Sequence, residues 1–226
     1  SRIVILHIVL RPILRSNRLT AADPASSVDA VKTLYLLHGF GVRSFFWDLL
    51  RPRLTETFDS VLTPDLDAES FDAYCTAIEE AAIERRDSDG EPVCLCGHSL
   101  GALVAAAVAH RTGKTVVGRV VLIAPPGSST ATAVGPVLRF LLRNRLIPSF
   151  LIRPRFFAQT PASVQNRLFG RAVVEPDGLQ DDVYLHRAEL VNELAHPLPQ
   201  PGLVLASDAD QIAPSEDSVR LADELG

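Results

Sequence analysis

The chain has 226 residues, 47% hydrophobic and 22% charged, with a formal net charge of −5. Such a length buries roughly 70–75% of the unfolded surface, so no disulfide or metal staple is needed. The acidic balance excludes general nucleic-acid binding, which needs a basic surplus.

The first residue is Ser and the sequence contains no Met, so residues are expected to be missing at the N-terminus. Ile3 to Leu10 is apolar except for His7 and too short for a bilayer span, which needs about 20 residues. It reads as a strand, with a signal or anchor remnant as the alternative. Residues 15–30 are polar and turn-rich and read as a loop. Thr33 to Leu37 is a buried strand running into His38-Gly39-Phe40-Gly41, and a helix with Phe45, Phe46, Trp47, Leu49 and Leu50 is expected next. Ser60 to Asp65 reads as a second strand. Phe71, Tyr74, Ile78 and Ala82 share one helical face, with Arg85 and Arg86 near its C-terminal end.

Pro92 to Cys96 reads as the third strand, and Ser99 to Thr112 as a small-residue helix stopped by Gly113. Between them stands Gly97-His98-Ser99-Leu100-Gly101. A G-x-S-x-G between strand and helix is the setting of a nucleophile elbow, a sharp turn that lifts the serine hydroxyl out of the backbone. Arg119 to Ala124 is a fourth strand, closed by Pro125-Pro126-Gly127. Four near-continuous apolar runs alternating with helices indicate a parallel sheet covered on both faces, an α/β class. Residues 128–198 then hold helical stretches without a convincing strand, and Gly202 to Ala206 restores the sheet. The expected organisation is a core of residues 1–127 and 199–226 with a helical cap over 128–198.

Cys94 and Cys96 lie two apart on one strand, where disulfide geometry is rarely met. Three buried, reduced thiols favour a reducing, cytoplasmic compartment. No Cys–His spacing suggests a metal. Residues 128–174 carry seven arginines, no acidic residue and no lysine, with five of the ten phenylalanines. A basic, aromatic cap suits an anionic or acyl substrate or a lipid surface. Solvated arginines with phenylalanines packed onto the core is the plainer alternative for membrane contact, and lining for an apolar acyl pocket is the stronger functional one.

Four segments together resemble the α/β-hydrolase fold serine hydrolases of the esterase and lipase type. They are Leu34 to Gly41 with Trp47, Cys96 to Gly101, Val120 to Pro125, and Leu205-Ala206-Ser207-Asp208-Ala209-Asp210-Gln211-Ile212-Ala213-Pro214. The resemblance implies an α/β-hydrolase fold with a mostly parallel sheet and a helical cap insertion. It implies Ser99 as nucleophile, the backbone N–H groups of Phe40 and Leu100 as oxyanion hole, and Asp210 as the acid that orients a histidine. Asp208 is the alternative acid; Asp210 is preferred because it stands directly before the Gln211-to-Pro214 turn.

The fold's triad order places the histidine after Asp210. None follows it in the sequence, so the base is expected beyond Gly226, and the 226-residue chain is expected to be poorly active. His38 is expected to hold its own turn, His98 to point away from Ser99, and His7 and His110 to be structural. His186 and His196 are the remote alternatives as base. The implied activity is cleavage of a carboxylic ester or related acyl substrate through an acyl-enzyme, without cofactor or metal. C–C bond hydrolysis, thioester hydrolysis, or a binding module that has lost its base are the alternatives. A small-molecule substrate with an apolar part is the expected partner, and the oligomeric state stays open.

Overall fold

The computed structural model describes residues 31–39, 42–66, 70–126, 196–207, 210 and 215–226, with isolated helical positions at Val164, Leu190 and Leu194. The strand expected at Ile3 to Leu10 and nearly all of the expected cap lie outside the described residues, as do Phe40, Asp208, His186 and Gln211 to Pro214.

Five strands form one sheet: β1 (Thr33–Leu37), β2 (Ser60–Leu62), β3 (Val93–His98), β4 (Val117–Ile123) and β5 (Gly202–Leu205). All neighbouring pairs are parallel, in the order β2-β1-β3-β4-β5. Every residue of β1 is buried, as are the first five of β3, which explains the unbroken apolar runs: with both faces of a strand covered there is no polar side to alternate with.

The stretch after β1 departs from expectation. Instead of one helix it contains a 3-10 turn (Ser44–Trp47) followed by a single α-helical turn, α1 (Arg51–Leu54). Pro52 supplies the reason. It has no N–H to continue an earlier helix and its ring would strike the carbonyl of Asp48, yet it suits the first turn of a new one.

Helix α2 (Phe71–Asp89) is capped by Ser70, whose hydroxyl accepts the Ala73 N–H at 3.1 Å. It runs past Arg86 to Gly90, which closes it at φ 72°, a conformation glycine adopts without steric penalty. Helix α3 (Leu100–Thr112) follows β3 and stops at Gly113 as expected. All ten residues from Leu100 to Ala109 are buried, so this part of α3 has no solvent face. Its alanines allow the close approach to strands and to α2 that such all-round burial demands. Helix α4 (Ser215–Leu225) completes the core through Leu221 and Leu225, which join Tyr74 and Ile78 of α2 and Leu103 of α3 in one cluster.

Cys75, Cys94 and Cys96 are free and buried. Burial pushes the Cys75 and Cys94 thiols up to about 12 and Cys96 higher still, so all three stay protonated. Among the described residues, no helix is long and apolar enough to cross a membrane.

Leu95 lies fully buried in the middle strand of this sheet. Leu95→Ala is expected to lower unfolding free energy by about 2–5 kcal/mol, read from the urea midpoint.

Candidate functional site

The strand order reverses direction between β1 and β3: from β1 the chain moves out to β2, then returns past β1 to β3 and onward to β5. In open parallel sheets the crevice at such a switch point, beyond the carboxyl ends of the strands, is where ligands bind. Two of the sequence motifs emerge there. His38-Gly39 leaves β1, and Ser99 follows β3 directly, with the two strands in register from Leu34 opposite Cys94 to Leu37 opposite Gly97.

Ser99 has φ 52° and ψ −115°, well outside the regions a non-glycine residue prefers. The turn is held by its N–H, which donates to Ile123 O at 2.9 Å, and by its C=O, which accepts from Ala102 at 2.9 Å. Serine is a favoured N-cap, yet the Ser99 side chain makes no capping bond to α3. Its hydroxyl is therefore not committed to the helix. Leu100, the first residue of α3, carries one of the backbone N–H groups that have no partner within the helix. The positive end of the helix dipole lies at the same place.

The motif's glycines answer to backbone contacts. A β-carbon on Gly97 would stand 2.1 Å from Gly101 O, and one on Gly101 would stand 2.3 Å from Leu37 O. Gly39 has a related role: its β-carbon would lie 2.8 Å from His98 Nδ1 and 3.1 Å from Ser99 Cβ. Gly39 thus passes directly against the elbow.

His38 is buried. Its Nε2 accepts the Leu66 N–H at 2.9 Å, so the proton sits on Nδ1, which donates to Gly39 O at 2.9 Å. A ring that accepts through Nε2 is neutral, so the 3.9 Å approach to Asp65 Oδ1 is not an ion pair. The expectation that His38 holds its turn is met in this geometry.

The His98 ring stacks on Phe46 at 4.7 Å between centroids with 26° between planes. The residue keeps partial exposure, but its Nδ1 is shut off from solvent and has no hydrogen-bond partner. Burial pulls its pKa down to about 4, and the Asp210 carboxylate opposes the shift. Asp210 is connected to this end of the sheet through its backbone. The connection is built through the sheet: Ala124 N–H donates to Leu205 O at 2.7 Å, and the chain leaving β5 turns where Asp210 N–H reaches Ser207 O at 3.0 Å.

The other two described histidines lie elsewhere. His110 stands near the far end of α3, eleven residues after Ser99 and therefore about 16 Å along the helix. Burial lowers its pKa, against a hydrogen bond to the Leu194 backbone and with His196 adding to the fall. His196 donates its own N–H to Leu194 O at 2.8 Å, so it sits at that same distant end. Among the described residues, no group of three His, Cys, Asp or Glu side chains is placed to hold a metal ion.

A parallel sheet with a serine at positive φ between β3 and its following helix, at the switch-point crevice, defines the α/β-hydrolase fold. The chain belongs to the alpha/beta hydrolase family, whose profile matches residues 34–225. Among solved structures it is similar to a lipase-esterase related protein from Clostridium acetobutylicum ATCC 824 (TM-score 0.69, 15% identity, covering 85% of this chain and 81% of that one). A thermophilic esterase from Thermogutta terrifontis matches with TM-score 0.62 and 20% identity over 85% of this chain and 77% of that one. A monoacylglycerol lipase from Paleococcus ferrophilus matches with TM-score 0.60 and 22% identity over 85% and 79%. At these identities the likeness is one of fold. No curated protein matches the sequence.

Sequence reasoning did not find the Phe46–His98 stack or the bonds that reach this loop from Asp65 and Leu66. Phe46 was legible only as one apolar residue among several. The bonds join positions 21 and 28 residues apart, for which no local pattern exists.

Two measurements follow from this geometry. Ser99→Gly is expected to be more stable than Ser99→Ala by about 1 kcal/mol or more, because glycine relieves the positive-φ strain and alanine does not. Equal unfolding midpoints would remove the strain from the account. His98, with its folded pKa below its unfolded one, leaves the unfolded chain binding more protons as pH falls from about 6.5 to about 4. Stability contributed by keeping it neutral is present above that window and lost on acidification through it. His98→Phe is expected to flatten that part of the stability–pH curve, measured by urea unfolding.

Proposed function

We propose that this chain is a serine hydrolase that cleaves carboxylic esters, with Ser99 as nucleophile and Asp210 as the triad acid. The observation that carries the proposal is the state of Ser99: strained backbone, uncapped hydroxyl, and contact with the loop after β1. Strain of this kind is retained where function uses it. The esterase and lipase among the similar folds support the ester class.

In this reading the Ser99 hydroxyl attacks the ester carbonyl and gives its proton to a histidine base. The N–H groups of Leu100 and Phe40 stabilise the resulting oxyanion, a contribution of about 3–4 kcal/mol for each donor. Collapse of the tetrahedral intermediate breaks the C–O bond, and the histidine returns the proton to the leaving alkoxide. Water then attacks the acyl-enzyme with the same base, releasing the acid and restoring the hydroxyl. The base is taken to be a histidine, the group that Asp210 would orient in the fold's triad. The substrate is a small ester with an apolar part, and the expected cap over 128–198 would line its acyl pocket.

One observation favours a second reading, a binding module that kept the fold without the chemistry: no described histidine stands where it could serve Ser99 as base. His38 is committed at both nitrogens, His98 is a weak base facing Gly39, and His110 and His196 are remote.

Both readings meet in one experiment on the full-length protein. A fluorophosphonate probe is expected to label the wild type and not Ser99→Ala. Asp210→Asn is expected to lower kcat on p-nitrophenyl esters by about 10³–10⁴-fold, as loss of a triad acid does elsewhere, while Asp208→Asn retains turnover. Labelling that ignores Ser99 would overturn the hydrolase reading and leave the binding module. A kcat loss on Asp208→Asn in place of Asp210→Asn would move the acid to Asp208.

A further inference from the structure

Two consecutive residues after β2 hold the two ends of the loop that follows β1. At the start of the loop, the Leu66 N–H is donated to His38 Nε2. At its end, where the 3-10 turn begins, Asp65 Oδ1 accepts the Ser44 N–H at 2.6 Å. Between these anchors lies Gly39, pressed against Ser99 and His98.

The Asp65 side chain is 41% exposed, so packing does not call for a carboxylate at this position. What the carboxylate does is accept from Ser44. Burial works to raise its pKa, but the Ser44 N–H and hydroxyl, with the Arg43 charge nearby, hold it below the usual range. The ionised form is thus the one the loop prefers, and a charged acceptor makes a shorter, stronger bond than a neutral one.

We infer that Asp65 is a positioning residue: by fixing Ser44 it holds the 3-10 turn Ser44–Trp47, whose Phe46 ring stacks on His98 beside Ser99. The effect on turnover rests on the hydrolase reading; the link from Asp65 to Ser44 and the stack does not. Leu66 contributes through its backbone and cannot be altered by side-chain substitution, which makes Asp65 the end of the clamp open to test.

The test uses the full-length protein with Asp65→Ala and Asp65→Asn, p-nitrophenyl butyrate as substrate and a fluorophosphonate to count active sites. Per labelled site, Asp65→Ala is expected to lose about 10²-fold in kcat with KM little changed, as a small displacement beside the nucleophile would cause. Asp65→Asn, which keeps an acceptor oxygen, is expected to recover most of it. Hydrogen exchange at the Ser44 amide is expected to quicken in Asp65→Ala, with α2 and α3 unaffected. A role in folding alone would lower the number of labelled sites and leave kcat per site at the wild-type value, and that result overturns the inference while the hydrolase reading stands. If labelling does not depend on Ser99, the hydrolase reading fails and hydrogen exchange decides alone. Faster exchange at Ser44 then supports the clamp, and unchanged exchange overturns it.

Discussion

The structure depends on backbone meeting backbone without intervening side chains. The start of α3 lies so close to the ends of β3 and β1 that a single carbon on Gly97 or Gly101 would overlap main-chain atoms by more than an ångström. Side-chain clashes can be relieved by rotamer changes, but backbone clashes move whole elements. This contact sets the angle at which α3 leaves the sheet, and hence the turn at Ser99. It also brings the His38-Gly39 loop against the elbow, because the atoms that Gly101 approaches are the carbonyls of Leu37 and His38. The geometry of the site is thus a consequence of how tightly one helix start can be seated on two strand ends.

Strain accompanies that seating. Among the described residues, two that are not glycine have positive φ, Ser99 at 52° and Ala124 at 47°, and they sit at the ends of the paired strands β3 and β4. Each is fixed by a sheet-extending bond, Ser99 N–H to Ile123 O and Ala124 N–H to Leu205 O. The hydrogen bonds continue the ladder by one residue past where the chain has already turned. The sheet thereby over-determines conformations that would not persist alone. Ala124 leads into Pro125, whose carbonyl faces the buried Ser218 hydroxyl of α4 at 3.4 Å. The turn at the end of β4 is consequently seated on the helix that closes the core.

Much of this was readable from residues in order. The parallel sheet declared itself because strands covered on both faces need unbroken apolar runs, and the chain has them at Leu34 to Leu37, Val93 to Cys96 and Val120 to Ile123. The elbow was legible because its glycines are required sterically, and the stop of α3 at Gly113 because a helix end needs positive φ there. The broken helix after β1 was misread: the apolar content of Phe45 to Leu50 outweighed Pro52, which decides where a helix can begin. The helix face of Phe71, Tyr74, Ile78 and Ala82 was legible from its spacing, and Arg86 stands in the last turn as its charge suits. The ties from Asp65 and Leu66 to Ser44 and His38 were not legible at all. A hydrogen bond between two loops leaves no period in sequence, and an exposed aspartate looks like any other.

The all-round burial of α3 has a consequence for how the protein comes together. A helix of alanine, valine and leucine with no polar face gains little by forming alone, and ten consecutive buried residues are stable only once strands and α2 surround them. The Ser99 turn is the first link of that helix. It cannot exist in a partly assembled chain in which β1, β3 and β4 are not yet in register. The backbone turn at Ser99 is therefore a reporter of complete folding: a chain that has lost any layer of the core has lost the turn as well.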